Sequence, residues 1–157
     1  MAEGVFRHKT KYELPGANPQ IKRIDSCGTG AYHVGDAPDK RTMSVLSDHG
    51  ISSDFYMHAA RKFQTSDFKD FDYIFAMDEE NKDYLDRARR QLIKKGGLSD
   101  QQAGKVMLFG VWGGKGDEEV DDPYYGGNEG FSIAYEQMER FSDGFLKTLE
   151  SNMSDSK

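Results

Sequence analysis

Phe71-Asp72-Tyr73-Ile74-Phe75-Ala76-Met77, followed at once by Asp78-Glu79-Glu80-Asn81, decides the fold. The first seven residues, dense in aromatic and apolar side chains, read as a β-strand. Asp78 then has the chemistry of a helix cap, since its carboxylate can accept the unpaired N–H groups of a first turn. Tyr84, Leu85, Ala88 and Leu92 follow at helical spacing, and Gly96-Gly97 ends the run. A strand feeding directly into a capped amphipathic helix is half of a parallel β-α-β unit.

Working outward, the same alternation recurs. Residues 2–13 read as a short helix with Ala2, Val5 and Phe6 on one face, broken by Leu14-Pro15-Gly16-Ala17-Asn18-Pro19. Ile21 to Asp25 reads as a short strand, followed by the loop Cys27-Gly28-Thr29-Gly30. Pro38 opens a second helix that carries Met43, Val45 and Leu46 and stops at Gly50. Val106 to Phe109 reads as a third strand. The final helix, from about Phe131 to Leu149, has the stripe Phe131, Ala134, Tyr135, Met138, Phe141, Phe145 and Leu149, which is core spacing. The expectation is one α/β domain over residues 1–150, a parallel sheet flanked by helices in three layers, with a polar, frayed tail at 151–157.

With 36% hydrophobic and 31% charged residues, the 157-residue chain has the composition of a globular domain and not of a disordered one. Its net charge of −6, with no dominant basic stripe, argues against a nucleic-acid partner. Arg87 to Arg90, with Lys94 and Lys95, read as a solvated helical face. No stretch approaches the roughly 20 apolar residues of a membrane span, and no secretory leader is expected. A lone cysteine, Cys27, excludes an internal disulfide and points to a reducing compartment, hence a cytoplasmic protein.

Several phosphate and metal motifs fail. Around Gly114-Lys115 the Walker pattern finds Phe109 and Gly116 where glycine and a hydroxyl residue are needed. Gly28-Thr29-Gly30 is followed by His33, not the third glycine of a dinucleotide fingerprint. One cysteine and the scattered His8, His33, His49 and His58 give no zinc spacing, so neither metal nor cofactor is expected. A cysteine phosphatase needs Cys-x5-Arg, in which a thiolate attacks phosphorus within a cradle of backbone N–H groups and an arginine. Six positions beyond Cys27 stands His33, so Cys27 reads as a half-buried loop residue.

Five segments, in order, resemble the low-molecular-weight protein tyrosine phosphatases. They are Met1 to Phe6; Asp25-Ser26-Cys27-Gly28-Thr29; Tyr32-His33-Val34-Gly35 with Pro38 to Arg41; Asp67-Phe68 with Phe71 to Asn81; and Asp122-Pro123-Tyr124-Tyr125-Gly126-Gly127. The resemblance implies a four-stranded parallel sheet whose first strand runs into a loop ending Cys-x5-Arg-Ser-Pro, immediately before residues like Met1-Ala2-Glu3. That strand and loop are not among these residues, so the expectation is a truncated domain without its nucleophile. The resemblance also places the absent strand between Ile21–Asp25 and Phe71–Met77.

By the same resemblance, Asp122 corresponds to the general acid that protonates the leaving tyrosine oxygen. Tyr124 and Tyr125 correspond to an aromatic wall that stacks on the phosphotyrosine ring. Tyr32 and His33 lie on the opposite wall, and Ser26 and His58 match residues that brace the phosphate loop. The implied substrate of the complete protein is a phosphotyrosine protein or a small aryl phosphate. The alternative is a non-catalytic pseudophosphatase that uses the same walls to bind a partner.

Overall fold

The computed structural model describes residues 1–56 and 58–156. Five helices and two strands follow in the order α1 (Ala2–Thr10), α2 (Lys40–Asp48), α3 (Asp67–Asp70), β1 (Tyr73–Ala76), α4 (Glu79–Lys94), β2 (Lys105–Leu108) and α5 (Glu129–Asp155). Short 3₁₀ turns occupy Phe109–Gly113 and Pro123–Tyr125. This is an α/β fold with a parallel sheet and flanking helices. No described helix is long and apolar enough to cross a membrane.

The decisive stretch behaves as its chemistry demands. β1 pairs in parallel with β2, Tyr73 opposite Lys105 and Ala76 opposite Leu108. Asp78 caps α4 by accepting the Asn81 N–H at 2.7 Å, and Gly96, at φ 77°, ends the helical region. Side chains alternate across β1, as a strand requires. Phe75 joins the core shared by α1, α2 and α5, where its ring lies 5.0 Å from that of Phe145. Ile74 and Ala76 join a second core under α4, with Phe63, Phe68 and Leu85. The sheet is therefore the middle of three layers.

Three features depart from the sequence reading. α1 stops at Thr10 instead of residue 13, because Lys11 turns left-handed at φ 52° and its N–H closes back on the His8 carbonyl. More consequentially, Ile21–Asp25 forms no strand. A parallel strand exists only through its neighbours; the one ladder-like contact here is the isolated bridge between Gly28 and Lys62. Asp25 instead turns its carboxylate onto the Ser26 N–H at 2.8 Å. α5 also outruns its expected end at Leu149 and continues, exposed, through Asp155.

α5 is locked to the Phe109–Gly113 turn by a close approach at Gly144, where a Cβ would run into the Trp112 carbonyl. Glycine inside a helix normally costs about 0.5–1 kcal/mol relative to alanine. Here the sign reverses. Gly144→Ala is expected to destabilise the chain by about 1–3 kcal/mol, as overpacking does, measured by urea denaturation; a stabilised variant would refute the contact.

Candidate active-site cleft

The N-terminal half of the cleft is built around a buried carboxylate. Glu3, in the first turn of α1, is only 3% exposed. It pairs with Arg7 one turn on, at 2.9 Å, and accepts the Ser26 hydroxyl at 2.6 Å. His58 lies against both: its Nε2 donates to the Ser26 carbonyl at 3.1 Å, and its Nδ1 stands 3.4 Å from Glu3 and 3.8 Å from Asp25. That carbonyl can only accept, so Nε2 carries a proton. Arg61 extends the network, donating to Asp25 at 3.0 Å and clasping both oxygens of buried Asp67 at 3.0 and 3.1 Å. Asp67 also takes the Gln64 N–H at 2.9 Å.

Ser26 and His58 thus come together, and their partners Glu3, Asp25, Arg61 and Asp67 escaped the sequence reading. The signal available was an acid on the otherwise apolar face of α1. Glu3, Asp25 and His58 also bring their ligand atoms within 4.8 Å of one another, a spacing that could hold a cation. Arg7 pairs with Glu3, Ser26 donates to it and Arg61 donates to Asp25, although Glu3 Oε1 makes no hydrogen bond among the described residues. With two cations already in place, the cluster reads as a structural network.

The opposite walls are aromatic and open. Tyr32 is 95% exposed and Tyr125 82%. The His33 ring lies 6.0 Å from that of Tyr124, which in turn meets Tyr125 edge-on at 5.1 Å. His33 also contacts Asp36 at 3.2 Å. Arg41 holds the wall from behind: its guanidinium sits 5.6 Å from the Tyr124 ring and 4.5 Å from that of Phe131, and it donates to the Tyr124 carbonyl at 3.3 Å. Asp122 caps the turn below, accepting the Tyr124 N–H at 2.9 Å on Oδ1. Among the described residues, its Oδ2 makes no hydrogen bond. Beside Ser26, Tyr32 and His33 lies a cavity of about 480 Å³ whose lining does not include Asp122, Tyr124 or Tyr125.

Cys27 is exposed, not half-buried as expected. Even so, desolvation of its sulfur pushes the thiol up to about 11, with Arg61 opposing and Asp67 and Asp25 reinforcing the shift. A thiol so held is a poor nucleophile at neutral pH. At pH 8.5 its thiolate fraction falls about two orders of magnitude below that of an ordinary cysteine, and its higher basicity recovers about one order. Cys27 is therefore expected to react with iodoacetamide roughly tenfold more slowly than free cysteine. Equal or faster alkylation would show that the electrostatics are misread.

Comparison with known proteins converges on one description. The family model "Low molecular weight phosphotyrosine protein phosphatase" matches residues 1–155. The fission yeast Schizosaccharomyces pombe protein of that name is 47% identical over 150 residues, spanning 95% of this chain and 87% of its own. The Rattus norvegicus protein of that name is 35% identical over 147 residues, 94% of this chain and 85% of its own. Among solved structures, an Entamoeba histolytica protein tyrosine phosphatase with Hepes in its active site superposes with a TM-score of 0.77 at 29% identity, covering 97% of this chain and 88% of that one. A drosophila arginine phosphatase does so at 0.76 and 33% identity, covering 94% and 87%.

Proposed function

Because the chain belongs to the low molecular weight phosphotyrosine protein phosphatase family, we propose that it forms most of a protein tyrosine phosphatase working through a cysteinyl-phosphate, and that these 157 residues alone turn over no substrate. The observation that carries the reading is the match over residues 1–155, supported by the contact of the His33 ring with that of Tyr124, which brings the two aromatic segments together. In this reaction a thiolate displaces the tyrosine oxygen from phosphorus, and the departing oxygen must be protonated as it leaves. Asp122 is the proposed acid. One of its oxygens is anchored by Tyr124 N–H, which leaves the other to carry the proton. Tyr124 and Tyr125 offer faces for the substrate ring, with Tyr32 and His33 across from them. Ser26 and His58 would brace the loop that holds the nucleophile.

That nucleophile is not Cys27. Its thiol is held near 11, and His33 occupies the position six residues on where a phosphate-binding arginine belongs. A single exposed cysteine suits a reducing compartment such as the cytoplasm. The unsuitable thiol also favours a second reading, in which the chain is a pseudophosphatase whose aromatic walls bind a partner without chemistry.

The test compares the 157-residue chain with one extended at Met1 by a short apolar strand and a Cys-x5-Arg-Ser-Pro loop. Substrates are phosphotyrosine, an aryl phosphate and, because one structural relative is an arginine phosphatase, phosphoarginine. The short chain is expected to be inert and the extended chain active. In the latter, Asp122→Asn should lower turnover by roughly 10²–10⁴-fold while keeping the turn capped, since the amide oxygen still accepts from Tyr124 N–H. Turnover by the short chain that Cys27→Ser abolishes would overturn the proposal; an inert extended chain that still binds phosphotyrosine would leave the pseudophosphatase reading in place.

A further inference from the structure

The outward face of α4 carries charge that the rest of the molecule leaves unanswered. Arg87, Arg90, Lys94 and Lys95 are all exposed. Every other arginine of the chain is in an ion pair, among them Arg61 with Asp67 at 3.0 Å and Arg140 with Glu118 at 2.7 Å. Arg87 and Arg90 alone make neither an ion pair nor a side-chain hydrogen bond among the described residues. Each has an acid four residues ahead of it, in the order that favours a pair along a helix. Asp86, ahead of Arg90, is taken instead by Lys82 at 2.8 Å, and Asp83 stays apart from Arg87. The helix dipole accounts for Lys94 and Lys95 at the C-terminus, but its influence fades within the last turn and does not reach Arg87.

This face is also held still. Leu85, Ala88 and Leu92 anchor the inner side of α4 in the core beneath it. Arg89 ties the helix to the segment before β2, donating to Asp100 at 2.7 Å and to the Gly104 carbonyl at 2.9 Å. Arg87, Arg90 and Lys94 recur at i, i+3 and i+7 and cover about 10 Å of helix. That repeat matches the turn of another helix, about 5.4 Å, better than the same-face step of an extended strand, about 6.8 Å. No large apolar side chain is exposed on α4, so nothing there enters a bilayer. A bilayer or a duplex is moreover an extended anionic surface that meets the whole net charge of −6, whereas a short acidic segment meets only the patch. A second copy laid antiparallel would set Glu80 near Lys94 and Asp83 near Arg90, but it would bring the two Arg87 side chains together at its centre. A carboxylate-bearing helix from another protein meets each cation without that conflict.

We propose that Arg87, Arg90, Lys94 and Lys95 form a docking face for an acidic helical segment of another protein, whose carboxylates at i, i+3 and i+7 pair with these cations. The arginines set the register, because each guanidinium can give one carboxylate two parallel hydrogen bonds, and the lysines add charge. None of the four lines the 480 Å³ cavity, so the contact lies outside the cleft and does not depend on phosphate chemistry.

The probe is an alanine-based helical peptide, blocked at both ends, with glutamates at i, i+3, i+4 and i+7 on one face, added to the full 157-residue chain. A control peptide of the same composition spreads its glutamates around the helix. The probe is expected to bind with a Kd at or below about 1 mM. Binding should weaken about tenfold as salt rises from about 10 to 100 mM and the Debye length falls from about 30 to 10 Å. It should shift the backbone amide signals of residues 83–95 and leave those of Tyr124 and Tyr125 in place. Arg87→Gln with Arg90→Gln should weaken binding about tenfold, and Arg87→Lys with Arg90→Lys about threefold. Neither pair should move the thermal midpoint, because the side chains replaced are exposed. Lys115→Gln with Lys147→Gln makes the same change in net charge elsewhere on the surface and should leave binding as it was. Equal binding by the control peptide, an equal loss in the Lys115 and Lys147 variant, or no binding at about 1 mM would each overturn the proposal. So would tighter binding, through the same arginines, to phosphatidylserine vesicles, to duplex DNA or to a second copy of the chain.

Discussion

A carboxylate buried to 3% exposure on the first turn of α1 is the constraint from which the cleft follows. An ionised carboxylate taken out of water costs several kcal/mol unless its oxygens are matched. Glu3 is met by groups from three separate parts of the chain: Arg7 on its own helix, paired in charge with Oε1 but not hydrogen-bonded to it, and, at Oε2, Ser26 in the loop after the first breaker and His58 ahead of α3. Those contacts fix where the loop from Asp25 to Gly30 lies relative to α1. Arg61 then carries the order onward, because it cannot satisfy buried Asp67 and half-buried Asp25 together unless the two segments are in register. One acid on an apolar helix face thus organises residues far apart in sequence into one end of a cavity.

The fold has a second, opposite feature. Its two cores are each well filled: Phe68, Phe131 and Phe141 are at most 1% exposed. They meet across β1, whose outer edge borders open space. Side-chain packing and backbone pairing are therefore satisfied to different degrees in the same strand. Packing is local to each face: Ala76 is buried, while Phe75 and Ile74 are partly buried and line the cavity. Pairing needs a neighbour in the plane of the sheet and is half complete. Burial of Phe75 and Ala76 holds β1 in place without that neighbour, while Ile21–Asp25, with less apolar surface to anchor it, stays irregular.

This difference also explains what could be read in the sequence. Helices carry their own signals. Asp78 as a cap, Gly50 and Gly96 as stops, and the aromatic stripe of α5 each depend on residues a few positions apart, and each is found where local chemistry puts it. The strand at Phe71–Met77 was legible because its apolar density needs two cores. The strand at Ile21–Asp25 was misread because its composition suits a strand whose partner lies elsewhere. In the site, the order of segments pointed to Ser26, His58, Asp122 and the tyrosines. Arg61, Asp25 and Asp67 did not announce themselves, because an ion pair such as Asp25 with Arg61 leaves no pattern along the chain.

The two ends of the cleft are built independently, and that bears on what the chain can do. The aromatic wall is self-supporting. Asp122 caps the turn that presents Tyr124 and Tyr125, and Arg41, fixed by Asp39, packs between Tyr124 and Phe131. None of these contacts draws on Glu3, Ser26 or His58. The wall can keep its shape whether or not the far end of the cleft is occupied. A carboxylate that caps with one oxygen is also well suited to act with the other, because the cap fixes its direction at no cost to its free lone pairs. The turn that presents the tyrosines is held by its own cap and by Arg41, 83 residues from Tyr124, while the Ser26–His58 end is held by contacts that span 23 to 32 residues. The aromatic wall and the Ser26–His58 end therefore each rest on their own set of contacts.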